Sequence, residues 1–282
     1  MPSFDTREPI SATVDVVTGE VSITAGDVAT TVVEVRPSDA SNQEDVRAAE
    51  QTRVEYADGR LLVKAPKWRQ WSPRSHGGSI DVTIELPAGS RLNATSAMAD
   101  FDVTGRLGDA RLKSGLGRIE LDTAAKLNVH SGAGDITVGR ATGHAEISTG
   151  TGEIRIGTLD GSAVVKNSNG TTSVGVAGGD LRIKAANGSI AVDVAEASVV
   201  AKSSLGDVRV GAVARGSAVL ETSAGDVEVG IRAGTAAWLD VDARAGRVHN
   251  TLDTADAPDA TDEKVEIRAR TGIGDVAIRR AA

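Results

Sequence analysis

The residues best suited to binding are concentrated in one short segment, residues 60–76, with the sequence RLLVKAPKWRQWSPRSH. The segment holds Trp68 and Trp71, which are two of the three tryptophans in the chain, and it has no acidic residue. Its cationic side chains are those of Arg60, Lys64, Lys67, Arg69 and Arg74. Tryptophan interleaved with cations suits contact with a partner protein, stacking on bases or sugars, or an anionic lipid surface. We therefore predict a partner-contact site at Trp68, Trp71, Lys64, Lys67, Arg69 and Arg74. The structural alternative is that the two tryptophans cap an open end of the fold.

A second set with chemical potential consists of carboxylates that each follow a recurrent glycine, namely Asp100, Asp135, Glu153, Asp207, Asp226 and Asp275. Stacked carboxylates suit Ca²⁺. However, Arg118 and Arg247 occupy the same column, so we interpret these side chains as solvated turn residues. The four histidines lack metal-ligand spacing, and the chain has no cysteine for thiolate or disulfide chemistry. We expect no metal, no cofactor and no catalytic residue, hence no enzyme.

Composition limits the remaining function classes. The chain has 282 residues and a net charge of -8, which disfavours nucleic acid as a general partner. Aromatic residues make up only 2% of the chain, so small branched side chains must fill the core. The first ten residues, MPSFDTREPI, show no leader pattern, and no stretch approaches the roughly 18 apolar residues of a membrane span. From these features we expect a cytoplasmic protein.

The elements that must position these residues come from a degenerate repeat of about 18 residues. Units such as SGAGDITV, TGTGEIRI and SSLGDVRV are centred on an anchor glycine. The anchors are Gly117, Gly134, Gly152, Gly170, Gly188, Gly206 and Gly225, with weaker copies at Ala99, Gly246 and Gly274. Residues two and four positions after the anchors are apolar except for Thr172 and Asn250, which is the alternation of one strand face. Each unit therefore predicts a strand, a tight turn at glycine, a second strand and a loop.

A polar column stands three residues before the anchors, with Ser114, Ser131, Thr149, Asn167, Ser203 and Thr222 among its members. We interpret it as a ladder that stabilises the turns. Units that cannot bury their apolar face alone do so by stacking. The sequence thus predicts an all-β, single-stranded β-solenoid with about ten regular coils between residues 92 and 280.

The N-terminal third is a looser version of the same unit. We predict anchors at Gly19 and Gly59, a strand over residues 30–35, and a loop or one helical turn over residues 38–50. No linker composition interrupts the chain. We therefore expect a single elongated domain over residues 1–282, with irregular coils and a cap in residues 1–91 and insertions near the C-terminus.

Taken in order, these features resemble a known family. An N-terminal strand pair, the segment IDVTIELPAGSRL at residues 80–92 and the following SGxGDIxV units are similar to those of DUF4097, a bacterial β-strand-repeat family of putative adhesins. The resemblance covers nearly the whole chain. It implies a right-handed β-helix and a non-catalytic role connected with envelope-stress or surface-associated systems. It supplies no catalytic residue.

Our leading hypothesis from the sequence is a non-catalytic interaction scaffold whose partner is another protein. One alternative is a carbohydrate-binding or carbohydrate-active β-helix, since long stacked faces can hold a glycan. Another is a peripheral membrane-associated protein that binds an anionic membrane surface through residues 60–76.

Overall fold

The computed structural model describes residues 1–66, 78–252 and 263–281. Within these residues the chain forms 23 strands and one α-helix. The contacts divide the chain into two compact units, Met1–Gly139 and Arg140–Ala282, called here the N-terminal and C-terminal units. The assignment of a single domain to the whole chain stays a prediction.

The N-terminal unit is an irregular β-structure that becomes regular along the chain. Its elements are β1 Ser3–Asp5, β2 Ser11–Gly26, β3 Thr30–Pro37, α1 Gln43–Gln51, β4 Arg53–Ala57, β5 Arg60–Lys64, β6 Ile80–Pro87, β7 Arg91–Leu116 and β8 Ile119–Ala133. Strand β9, Ile136–Ala141, contains the boundary between the units. Strand β2 pairs in parallel with β5, β6 and β7, and β7 pairs in parallel with β8. These pairings form the first coils.

Two features of the N-terminal third differ from the sequence-based expectation. Gly19 is a repeat anchor as predicted, with φ +135°, but Gly59 is not an anchor. Asp58 and Gly59 form the two-residue turn of an antiparallel hairpin between β4 and β5, and both have positive φ. Asp-Gly favours this turn because its backbone twist matches that of the flanking strands. Residues 38–50 contain most of a nine-residue helix, α1, rather than a loop or a single turn.

The C-terminal unit consists of regular coils. Its strands are β10 Ala145–Thr151, β11 Ile154–Leu159, β12 Ala163–Asn169, β13 Thr172–Ala177, β14 Leu181–Asn187, β15 Ile190–Ala195, β16 Val199–Leu205, β17 Val208–Val213, β18 Gly216–Ala224, β19 Val227–Ile231, β20 Thr235–Ala245, β21 Val248–Asn250, β22 Glu263–Ile273 and β23 Val276–Arg280. Each coil contributes two strands separated by the anchor position. Even-numbered strands stack in parallel on one another, and odd-numbered strands do the same.

The core of this unit is the set of columns predicted from the repeat. Ile154, Ile190 and Val208, each two residues after an anchor, are at most 1% exposed. The next residue along each strand points outward, and Arg155 and Arg209 at this position face solvent. The strand, glycine, strand order of every coil and the inward columns confirm the predicted all-β solenoid. The handedness of the coil stays a prediction.

The last two coils are stacked out of chain order. Strand β18 pairs with β22 and not with β20, and β20 pairs with the far side of β22. The second strand stack repeats this arrangement, because β19 pairs with β23 and β23 pairs with β21. The outermost coil, β20 and β21, therefore precedes in sequence the coil beneath it, β22 and β23. The inward residue Val248 of the outermost coil is 47% exposed, whereas Val276 in the same column is fully buried.

Candidate functional site

The predicted contact segment lies mostly outside the described residues. Of its six members, only Lys64 is described, whereas Lys67, Trp68, Arg69, Trp71 and Arg74 are not. Lys64 is half-buried at the end of β5, in register with Asp15 of β2 and Arg53 of β4. The contact site and its alternative, a tryptophan cap, both stay predictions.

The described residues on either side of residues 67–77 are hydrogen-bonded to or packed against the N-terminal unit. The amide of Ala65 donates to the carbonyl oxygen of Asp15 at 2.8 Å. On the other side, the buried carboxylate of Asp45 in α1 accepts the amide of Ser79 at 2.9 Å. A Cβ added at Gly78 would lie 2.3 Å from the carbonyl oxygen of Glu44, so helix α1 packs directly on this glycine. Residues 67–77 therefore connect two fixed points of the N-terminal unit.

The carboxylates after the anchors serve the turns of the solenoid. Asp207 accepts the amide of Asp226 at 2.9 Å, and Asp226 accepts the amide of Asp275 at 2.8 Å. Asp275 in turn accepts the amide of Arg247 at 2.8 Å. Each carboxylate thus binds the backbone of the next coil, which agrees with its interpretation as a turn residue. Within residues 1–66, 78–252 and 263–281, no group of three or more metal-ligating side chains is suited to hold a metal ion.

The polar column before the anchors also stabilises turns. The hydroxyls of Ser203, Thr222 and Thr271 donate to the carbonyl oxygens of the preceding anchor glycines, at 3.0, 2.8 and 2.8 Å. These three side chains are 3–7% exposed. Because they are buried and engaged with backbone, the column is structural, as the sequence indicated.

A groove on the outer face of the C-terminal unit is a candidate binding feature among the described residues. It has a volume of about 990 Å³ and crosses the ends of β14, β16, β18, β22 and β20. We call it the corner groove. Its lining residues are Lys184, Ala185, Lys202, Ser203, Ser204, Glu221, Thr222, Ser223, Asp242, Arg244, Ala245, Arg270, Thr271, Gly272 and Ile273.

The walls of the corner groove are rows of residues that occupy one column of the repeat. The first row is Lys184, Lys202, Glu221, Arg270 and Asp242, which are in register on successive strands. The opposite row includes Ile273 and Ala245 and continues to Leu205 through Ala224. Between the rows lie Ser204, Ser223 and Gly272, and on the outermost coil Arg244. Because two serines and a glycine occupy this position on three coils, the groove there reaches close to the backbone.

The corner groove is cationic in a chain that is acidic as a whole. Four of its lining residues are basic and two are acidic, whereas the chain has a net charge of -8. Lys202 is paired with Glu221 at 2.6 Å, and Arg270 is paired with Asp240 at 3.0 Å. Lys184 forms no ion pair or hydrogen bond within the described part of the chain. The groove therefore offers positive charge that the surrounding residues only partly neutralise.

The row of cations extends beyond the groove. Lys166 is the register neighbour of Lys184, which is the neighbour of Lys202, so three lysines stand on three successive coils. Like charges directly opposite each other on neighbouring strands are destabilising. Lys166 is paired with Glu146 at 3.9 Å and Lys202 with Glu221 at 2.6 Å, which relieves the repulsion on both sides of Lys184.

The corner groove does not follow from the inward columns, the acidic column or the polar ladder of the repeat. Its signal lies in the outward column four residues before the anchors. That column shows Lys166, Lys184 and Lys202 at intervals of 18 residues. The remaining cation, Arg270, joins this row only because β22 lies beside β18. Trp238, which has no place in the columns of the repeat, is 60% exposed on the outermost coil.

No helix in the described ranges is both long enough and apolar enough to cross a membrane.

No curated protein is significantly similar to the chain in sequence. Among solved structures, the chain is similar to a putative adhesin from Bacteroides fragilis, at 14% identity and a TM-score of 0.45, with 98% of this chain and 95% of that chain covered. A putative cell adhesion protein from Clostridium sporogenes is similar at 11% identity and a TM-score of 0.23, with 98% and 94% covered.

The sequence also matches a family model, and the match extends over residues 13–279. It includes the irregular N-terminal coils as well as the regular coils and the two that are stacked out of order. The resemblance inferred from the repeat is therefore confirmed, and the chain belongs to the Toastrack DUF4097 family.

Proposed function

We propose that the protein is a non-catalytic interaction scaffold that holds an extended partner in the corner groove. The observation that carries the proposal is the construction of this groove from equivalent positions on five strands stacked in register. Such a surface is rigid because each strand is hydrogen-bonded to its neighbours along the stack. A rigid surface loses little conformational freedom when a partner binds.

The polar side chains of the groove favour binding over catalysis. An acid or base catalyst must have a free proton-transferring group within reach of the substrate. Glu221 is already held by Lys202 at 2.6 Å, and Asp242 lies exposed on the outermost coil. The groove is otherwise lined by cations, hydroxyls, small side chains and the aliphatic side chain of Ile273. This set is suited to hold an anionic or polar chain in place.

Reversing the charge of two groove lysines should abolish partner capture without unfolding the protein. We expect Lys184→Glu/Lys202→Glu to lose the partner that the wild-type protein retains on a column, because both side chains line the groove. The matched control is Lys126→Glu/Lys264→Glu, which makes the same change in net charge at two exposed lysines outside the groove. Equal capture by both double variants, at unchanged melting temperatures, would contradict a role for the groove.

The segment around Trp68 and Trp71 is proposed as a second contact region, for a protein partner or an anionic membrane surface. Large rigid aromatic side chains dominate interface energetics when they are desolvated. In the variant Trp68→Ala/Trp71→Ala, we expect partner capture to fall while the melting temperature stays within about 2 °C. A cap would instead lower the melting temperature by several degrees. Co-sedimentation with anionic vesicles separates the membrane alternative. The cytoplasmic location and the connection with envelope stress stay predictions.

A further inference from the structure

We propose that the corner groove binds a linear acidic polysaccharide of the uronic-acid type, laid along the stacking direction of the coils. The inference rests on the proposed function, because it names the chemical class of the partner held in the same groove. It depends on three properties of the groove: the spacing of its cations, the polar and apolar groups beside them, and the absence of aromatic side chains from its lining.

The cations repeat at the distance between neighbouring strands. Lys166, Lys184 and Lys202 are in register on β12, β14 and β16, so they recur about every 4.8 Å along the stack. Arg270 continues the row beyond Glu221. A sugar ring advances a polysaccharide by about one such spacing, but neighbouring rings of an extended 1,4-linked polyuronate are turned over relative to each other. The carboxylates that face the groove therefore recur on alternate rings and match cations on alternate coils, as Lys166, Lys202 and Arg270 are. Repeated point charges attract a chain whose carboxylates recur at a matching interval.

Groups that suit sugar rings accompany the cations. Ser204 and Ser223 are exposed at the base of the groove, and their hydroxyls make no hydrogen bond within the described residues. Hydroxyls of this kind both donate to and accept from sugar hydroxyls. Across the groove, Leu205 and Ile273 are 55% and 65% exposed and offer aliphatic surface to the C–H faces of the rings. The groove therefore offers both polar and aliphatic surface, which matches the hydroxyl groups and the C–H faces of a sugar chain.

Two other classes of polyanion fit less well. Single-stranded nucleic acid binds by stacking its bases on aromatic side chains, and no aromatic residue lines the corner groove. An extended acidic peptide places side chains on one face about every 6.6–6.8 Å. That repeat matches neither one coil spacing nor two, so the charges of the peptide and those of the groove would soon lose register.

The test uses polygalacturonate oligosaccharides as the probe and their methyl esters, which carry no carboxylate charge, as the control ligand. Isothermal titration of the full chain should show binding of the acidic form that strengthens as the oligosaccharide grows to span several coils. The methyl esters should bind at least about tenfold more weakly, because several charge pairs between the oligosaccharide and the groove are lost at once. A similar loss is expected for Lys184→Glu/Lys202→Glu, while Lys126→Glu/Lys264→Glu keeps the affinity of the wild type.

Each remaining outcome overturns the inference in a recognisable way. Equal binding of the acid and its methyl ester would show that charge does not select the ligand. Tighter binding of oligothymidylate or polyglutamate than of polygalacturonate would assign the groove to another polymer. If no polyanion binds but Lys184→Glu/Lys202→Glu still loses its cellular partner, the polysaccharide is wrong and the scaffold function stands. If that double variant behaves as the wild type in both assays, both proposals fail.

Discussion

Replacing Val276 by aspartate is expected to destabilise the protein by about 4 kcal/mol or more, because it buries a charge that no neighbouring side chain can pair. Val276 is fully buried between its register neighbours Val227 and Val248. In a protein of this size, a loss of that order lowers the melting temperature by roughly 10 °C or more. Thermal denaturation followed by circular dichroism measures the effect directly.

Val248 provides the matched control. It is the same residue type in the same column of the repeat, but it lies on the outermost coil and is 47% exposed. Aspartate at this position remains in contact with water, so Val248→Asp should cost only about 1 kcal/mol. Stacking in chain order would reverse the two results, because the coil of Val248 would then be interior and that of Val276 terminal. Equal damage from both variants would also contradict the observed order.

Replacing an anchor glycine by alanine is expected to be almost as damaging as the buried charge. Gly170 has φ +132°, and a Cβ at this position would lie 2.0 Å from the carbonyl oxygen of Gly152 on the neighbouring coil. Gly170→Ala therefore combines a strained backbone with a steric clash between two coils. We expect a loss of about 3–5 kcal/mol, measured by urea denaturation.

The control for this prediction separates the clash from the strain. Gly234 also has a positive φ, at +79°, but no heavy atom lies within 4 Å of its Cβ position. Gly234→Ala should cost only about 1–2 kcal/mol, the penalty of the left-handed conformation. If the two alanine variants lose the same stability, the close approach of the coils does not explain why the anchor positions are glycine.

The solenoid could be predicted from the sequence because one physical constraint repeats in every coil. The anchors fix the turn, and the inward columns need small branched side chains that fit between identical neighbours. The hairpin turn at Gly59 and helix α1 were harder to predict, since they occur once and lack the support of a repeat. At Gly59 a glycine followed by alternating apolar residues imitates the repeat locally. The Asp58-Gly59 pair between two alternating runs is a hairpin signal, but this local match to the repeat conceals it.

The exchanged order of the last coils could not be predicted from the pattern, because every coil presents the same columns and can pair with any other. One residue carried a signal. Asn250 occupies an inward column in which Val229 and Ile278 stand on the two coils beneath it. A polar side chain in this column is tolerated at an open end, and Asn250 is indeed exposed. The long separation of Gly246 from Gly274 agrees with a chain that must return past a coil.

The order of the coils determines the charge of the candidate site. With β22 beside β18, the cation Arg270 follows Glu221 in the groove row, and Asp242 is moved to the outer end. In chain order, Asp242 would stand directly beside Glu221, and the two carboxylates would interrupt the row of cations. The proposed function and the polysaccharide inference therefore both depend on the exchange.

Cysteine cross-linking across the groove row tests this claim most directly, because the natural chain has no cysteine that could interfere. Glu221 and Arg270 are register neighbours, so Glu221→Cys/Arg270→Cys places two thiols one strand spacing apart, within disulfide range. Glu221→Cys/Asp242→Cys separates them by two strand spacings, about 9–10 Å, which is too far for a bond. The observed order predicts rapid oxidative cross-linking of the first pair only, measured by mass spectrometry. Rapid cross-linking of the second pair and not the first would contradict it.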